Sequence, residues 1–107
     1  MQDKALSLLG LAARAGRVVS GEFSVETAIK KHKAYLVIIA KDASDNTRKH
    51  FEDMCRYRNI EIVSYSDRKS LGKCIGKDFR ASVAVTDENF ANGLKGEIRG
   101  GKLIENS

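Results

Sequence analysis

The chain has 107 residues, 42% of them hydrophobic, with 19 Lys and Arg against 14 Asp and Glu for a net charge of +5. That length suits one domain with a core of its own, and the absence of any apolar run of membrane-spanning length speaks against a membrane protein. Two distant cysteines, Cys55 and Cys74, with no CxxC spacing, read as reduced thiols of a cytosolic protein rather than a disulfide framework or a metal site.

The chain opens on an amphipathic pattern with no visible signal peptide. Residues 3–15 form a first helix with Ala5, Leu8, Leu9 and Ala12 as its buried stripe, and Gly16 closes it in a left-handed conformation. Residues 17–20 are a brief strand suited to a sheet edge. Ser20-Gly21 then opens a second helix to about Lys33, whose buried stripe is Val25, Ala28, Ile29 and His32. His32 is thus expected to be half-buried. Residues 36–40, LVIIA, are an apolar strand. Asp42, Ser44 and Asp45 offer caps for a third helix with stripe Thr47, Phe51, Met54 and Cys55, stopped by Asn59. Residues 61–65 are a third strand, and Ser66-Asp67 caps a fourth helix ending near Gly76. Residues 82–86 are a fourth strand and 87–94 a last helix.

Beyond Gly93 the glycines at 93, 96, 100 and 101 break the pattern, so a single domain is expected over residues 1–95 and a flexible tail over 96–107. Strands alternate with helices. The expected fold is α/β, a three-layer α/β/α sandwich whose crossovers imply a mixed, mostly parallel four-stranded sheet.

Catalytic chemistry is poorly supplied. His32 and His50 lack ligand spacing to each other or to a cysteine, and His50 sits among Arg48, Lys49 and Glu52 as a solvated residue. There is no Walker loop, and SGEFS is not a dinucleotide fingerprint. Gly72 and Gly76 flank residues that read as helix, so a phosphate-cradling loop is not expected there. Asp42 and Asp45 follow a strand end but read as helix caps. No enzyme, cofactor or metal is expected.

A binding surface is better supplied. Basic residues cluster in two segments: Arg14, Arg17, Lys30, Lys31 and Lys33, and then Arg68, Lys69, Lys73, Lys77 and Arg80. The remainder of the chain is slightly acidic, and a charge so concentrated favours an anionic partner. At the start of the second helix Phe23, Thr27 and Lys30 fall on the face opposite the buried stripe. Ser20, Gly21 and Glu22 there offer free backbone N–H groups, an anion site, and Phe23 offers a ring that can stack on a base. Residues 76–81, GKDFRA, pair Phe79 with Lys77 and Arg80 in a second loop. Solvated lysines and tucked phenylalanines are an equally simple account of these patterns.

Two longer stretches carry a resemblance. ALSLLGLAARAGRVVSGEFSVETAIKKHKAYLVIIAKDAS resembles the L-seven-Ae-type ribosomal proteins that bind kink-turn RNA. DASDNTRKHFEDMCRYRNIEI and LGKCIGKDFRASVAVTDENFANGL resemble its small bacterial YlxQ-type branch. The resemblance covers residues 5–94. It implies an α/β/α sandwich around a mixed four-stranded sheet, and binding to a sharply bent RNA with tandem sheared G·A pairs. Genes of this branch commonly neighbour termination and initiation factors, which implies a cytoplasmic ribonucleoprotein role near the ribosome or translation factors. A monomer is expected.

The resemblance also places the RNA motif. It begins at Gly21 and puts a polar pair where this chain has Phe23 and Ser24, then a lysine where it has Thr27. Only the glycine matches. The expected RNA-binding set is Arg17, Gly21, Glu22, Phe23, Ser24, Thr27, Lys30, Lys31, Lys77, Phe79 and Arg80. The family's second contact, an apolar loop, falls on residues 75–81, which are charged here. The alternative is a protein-interaction module of the translation and transcription machinery with Phe23 and Phe79 as anchors.

Overall fold

The computed structural model describes residues 3–106, with side chains as far as residue 100. In chain order the elements are α1 (Lys4–Arg14), β1 (Val18–Ser20), α2 (Glu22–Lys30), β2 (Leu36–Ile39), α3 (Asp45–Arg58), β3 (Ile62–Ser64), α4 (Arg68–Cys74), β4 (Ser82–Val85) and α5 (Glu88–Asn106). The strands form one sheet in the order β1-β4-β2-β3. On one face α1 packs on α4 and α5, on the other α2 packs on α3, and β4 touches both α2 and α5. This is the expected three-layer sandwich.

The sheet is mixed as expected, but it is not mostly parallel. Only β2 and β3 pair parallel; β4 runs antiparallel to both β1 and β2. The strands buried at every position, β2 and β4, take the centre, where both faces and both edges are covered. The partly exposed β1 and β3 take the edges.

The cause of the reversal lies in α4. At seven residues it is about 10 Å long, and it does not carry the chain back along the sheet. At its end Gly76 (φ +75°) turns the backbone, with Gly76 N donating to Lys73 O and Lys77 N to Gly72 O. The chain then retraces α4 until Arg80 N donates to Arg68 O at 3.0 Å. It enters β4 from the end at which β1, β2 and β3 leave the sheet. The return path touches the helix at Gly72, where an added Cβ would stand 1.4 Å from the Asp78 carbonyl oxygen.

The same helix ending recurs. Gly16, His32 and Asn59 all have positive φ, and each is followed by a residue whose N–H reaches five residues back, to Ala12, Ala28 and Cys55. These are Schellman closures, which favour glycine or asparagine. His32 is the exception that composition hides. It is exposed, outside α2, and not the half-buried stripe residue its spacing implies.

Helix α5 also departs from expectation by continuing past Leu94. Gly93 is where α5 meets α1, since an added Cβ would lie 3.1 Å from Leu8 Cδ2. Ile98 packs on the core, Lys95 Nζ stands 3.7 Å from Glu61 Oε1, and Arg99 pairs with Glu61 as well. These contacts hold the helix to the body beyond the glycines. The last residue of the expected tail, 107, lies outside the described residues.

Two glycine substitutions separate these roles. Gly72→Ala must force α4 and the return loop apart, and urea denaturation should show a loss of at least about 3 kcal/mol. Gly96 has open space around it, so Gly96→Ala should instead stabilise the protein by about 0.5–1 kcal/mol through helix propensity.

Candidate nucleic-acid interface

Because β1 ends where β4 begins, the start of α2 and the loop before β4 meet at one end of the sheet. Ser20 lies opposite Val83 in register, and Gly21 N donates to Ser82 O at 3.0 Å. Gly21 has φ +91° and ψ 158°, a conformation that glycine alone adopts freely. Arg80 Nε donates to Ser20 Oγ at 3.0 Å and its Nη1 to Phe79 O at 2.9 Å. The half-buried guanidinium is therefore fixed beside the α2 N-terminus.

That N-terminus differs from the others. Side chains of Asp3, Ser44 and Asp67 cap α1, α3 and α4, and Asp87 Oδ2 accepts from Phe90 N at the start of α5. No side chain caps α2. Its first N–H groups, the positive end of the helix dipole and Arg80 favour an anion, opposed only in part by the exposed Glu22 carboxylate of the first turn.

Two rings flank this point. Phe23 is 82% exposed and Phe79 is 59% exposed. The Arg68 guanidinium sits 5.8 Å from the Phe79 ring centroid, within cation–π range, and is itself anchored by Asp42. Asp42 is not a cap of α3, which Ser44 supplies; it accepts from Arg68 N at 2.9 Å. That backbone hydrogen bond, with the guanidinium beside it, holds its carboxyl below the usual carboxylate range.

The structure brings Gly21, Glu22, Phe23, Ser24, Phe79 and Arg80 together. Lys77 stands about one helical turn back along α4, where its N–H meets Gly72. Thr27 lies one turn beyond Phe23, and its hydroxyl donates to the Phe23 carbonyl at 2.9 Å, so it is already engaged with its own helix. Arg17 does not join this face: Thr86 N donates to its carbonyl at the opposite end of β1. Lys30 and Lys31 lie at the other end of α2. The sequence marks Ser20 for its N–H and Arg68 for its charge, but not the side-chain contacts by which they position Arg80 and Phe79. Their contacts span 60 positions in one case and arise from the loop's return over α4, which no local pattern reveals.

Among the described residues no group of three or more His, Cys, Asp or Glu side chains is placed to hold a metal ion. His50 is not simply solvated, because its Nε2 lies 2.9 Å from Glu26 Oε1 on α2. Burial pushes the Cys55 and Cys74 thiols up to about 11, which keeps them protonated at neutral pH. Cys74 lines a groove of about 910 Å³ between α1 and α4, where Asp3 accepts from the Tyr65 hydroxyl.

Residues 3–94 match the family described as "Ribosomal protein L7Ae/L30e/S12e/Gadd45 family". A Bacillus subtilis (strain 168) relative described as "RNA-binding protein YlxQ" is 48% identical over 81% of this chain and 87% of its own. An Enterococcus faecium protein of the same description is 34% identical over 92% of this chain and 95% of its own. Among solved structures, a Bacillus halodurans protein of unknown function superposes with TM-score 0.88 at 38% identity, covering 91% of this chain and 98% of that one. A Giardia lamblia 15.5kD RNA binding protein shares the fold, with TM-score 0.76 at 19% identity over 94% and 92% of the two chains.

A ring that faces water contributes little to folding. Phe23→Ala should change the unfolding free energy by less than about 0.5 kcal/mol in urea titrations. A large loss would place Phe23 in the core.

Proposed function

The chain belongs to the ribosomal protein L7Ae/L30e/S12e/Gadd45 family, and on that premise we propose that it is a non-enzymatic RNA-binding protein recognising a sharply bent, kink-turn-like RNA. The observation that carries this reading is the meeting of the uncapped α2 N-terminus with Phe79 and Arg80. A phosphate or base edge at the bend meets the Glu22–Ser24 N–H groups and the Arg80 charge. Phe23 and Phe79 offer stacking faces to unpaired bases on either side. Two relatives that span most of the chain are described as RNA-binding proteins, which supports the reading.

The departures from the family motif alter how the bend is held. Phe23 replaces a polar reader with a stacking ring. Thr27 supplies neither the charge of the family's lysine nor a free donor. Recognition here relies more on stacking, the helix terminus and a fixed arginine than on base-edge hydrogen bonds. No helix among the described residues is long and apolar enough to cross a membrane. A monomer in the cytoplasm, working near the ribosome or translation factors, completes the proposal.

The two exposed phenylalanines also suit a protein partner, and salt dependence separates the readings. Binding to a kink-turn should weaken with a log–log salt slope of about 0.7–0.9 per neutralised phosphate, amounting to a few phosphates. A salt-insensitive complex favours the protein partner. Thr27→Lys should tighten kink-turn binding by about 1.5 kcal/mol through one charged hydrogen bond. At the same salt a plain duplex should gain less. Equal gains on both RNAs, or none, mean that this helix end does not read the bend.

A further inference from the structure

A groove of about 320 Å³ runs beside α2, lined by Val19, Phe23, Thr27, Ala28, Lys31 and Lys33 among others, with Thr86 at its far end. It begins at the ring that flanks the proposed RNA face and ends among the basic residues that this face lacks. We propose that this groove is a second RNA-contact surface, a track for an unpaired strand leaving the bent element. The inference rests on the RNA-binding reading of the α2 N-terminus and extends it.

Charge complementarity argues for the occupant. No acidic side chain lines the groove. Neither Lys31 nor Lys33 makes an ion pair among the described residues, although five such pairs form elsewhere. At the bent-RNA end, by contrast, Asp42 already holds Arg68, and Asp67 and Asp78 stand among the basic residues there. The groove's lysines are thus the less compensated part of the positive surface. An apolar peptide has no use for such a rim, whereas a phosphate backbone does.

Shape argues for a strand rather than a duplex. Val19, Ala28 and Thr27 line a groove of only about 320 Å³ that the exposed Phe23 ring also borders. Phe23, Thr27 and Lys31 follow one another at single-turn spacing along one face, a run of about 12 Å. That length accommodates roughly three nucleotides at the ~3.4 Å rise of a stacked strand. Starting beside the base that stacks on Phe23 at the bend, the strand's backbone passes over Thr27, whose hydroxyl is turned inward to the helix, and its phosphates reach Lys31 and Lys33. Stacking platforms beside basic grooves are the usual way proteins hold unpaired strands.

The test compares three RNAs by fluorescence anisotropy at one near-physiological salt concentration. They are a blunt-ended kink-turn and the same kink-turn with three unpaired uridines on either strand. A plain duplex, blunt and with the same tails, serves as reference. One tailed kink-turn should bind about five- to tenfold tighter than the blunt one, the gain expected from one or two phosphates neutralised by the groove lysines. Lys33→Glu should abolish that gain and leave the blunt kink-turn unaffected. Lys33 is exposed and lies beyond α2, so the variant should fold normally, as its thermal unfolding will show. If neither tail adds affinity, or if Lys33→Glu weakens all RNAs alike, the track is overturned while the reading of the bend stands. If the blunt kink-turn binds no better than the blunt duplex, the reading of the bend falls. The track then survives only if a tail on the duplex still gains affinity through Lys33.

Discussion

The close passage of the Asp78 backbone over Gly72 is the constraint on which the rest of the site depends. A residue with a side chain at position 72 has no room against that carbonyl. With glycine there, the chain after α4 folds back along the helix and enters β4 at the end where the other strands leave. From this follow the antiparallel insertion of β4, the Gly21–Ser82 hydrogen bond and the reach of Arg80 to Ser20. One contact between backbone segments thereby joins two loops far apart in sequence. It also keeps the join rigid, because Arg68 O, Gly72 O and Ser20 Oγ each accept from the returning loop or its side chains.

The electrostatics of the face rest on fixed dipoles more than on numbers of lysines. An uncapped helix terminus and one guanidinium held by two hydrogen bonds act from set positions, so they lose little freedom when an anion arrives. Lys30, Lys31 and Lys33 lie away from this face, along and beyond α2. This division suits a protein in which the helix end sets the register of the RNA while more mobile charges add affinity. On the proposed reading it also accommodates Phe23 and Thr27, where the motif that the sequence resembles places a polar residue and a lysine.

Much of this was legible in the sequence. The helices and strands follow from apolar periodicity and from Gly16, Ser44, Asn59 and Asp67 as stops and caps. Phe23 on the wrong face of its helix marked an exposed aromatic, and it is exposed. What was not legible arises from contacts distant in sequence. The order of the strands depends on a return path over α4, and the glycines that permit it read locally as ordinary helix. His32 adopts a glycine-like conformation because Lys33 and Ala28 close the helix around it. The extension of α5 depends on Glu61, which lies 38 positions from Arg99. The basic residues at 17, 30 and 31 share a cluster with Gly21 in sequence, yet β1 and α2 carry them to the other end of the sheet.

The central claim is that the α2 N-terminus and the loop before β4 form one RNA face. Backbone amide NMR during titration with a kink-turn RNA tests it most directly. The account predicts that the amides of Gly21, Glu22, Phe23 and Ser24 shift together with those of Lys77, Phe79 and Arg80, along a single saturation curve. The amides on the α1–α4 groove and on the exposed side of α3, Tyr57 among them, should stay in place. Shifts confined to either of those surfaces, or to only one of the two joined segments, would contradict it.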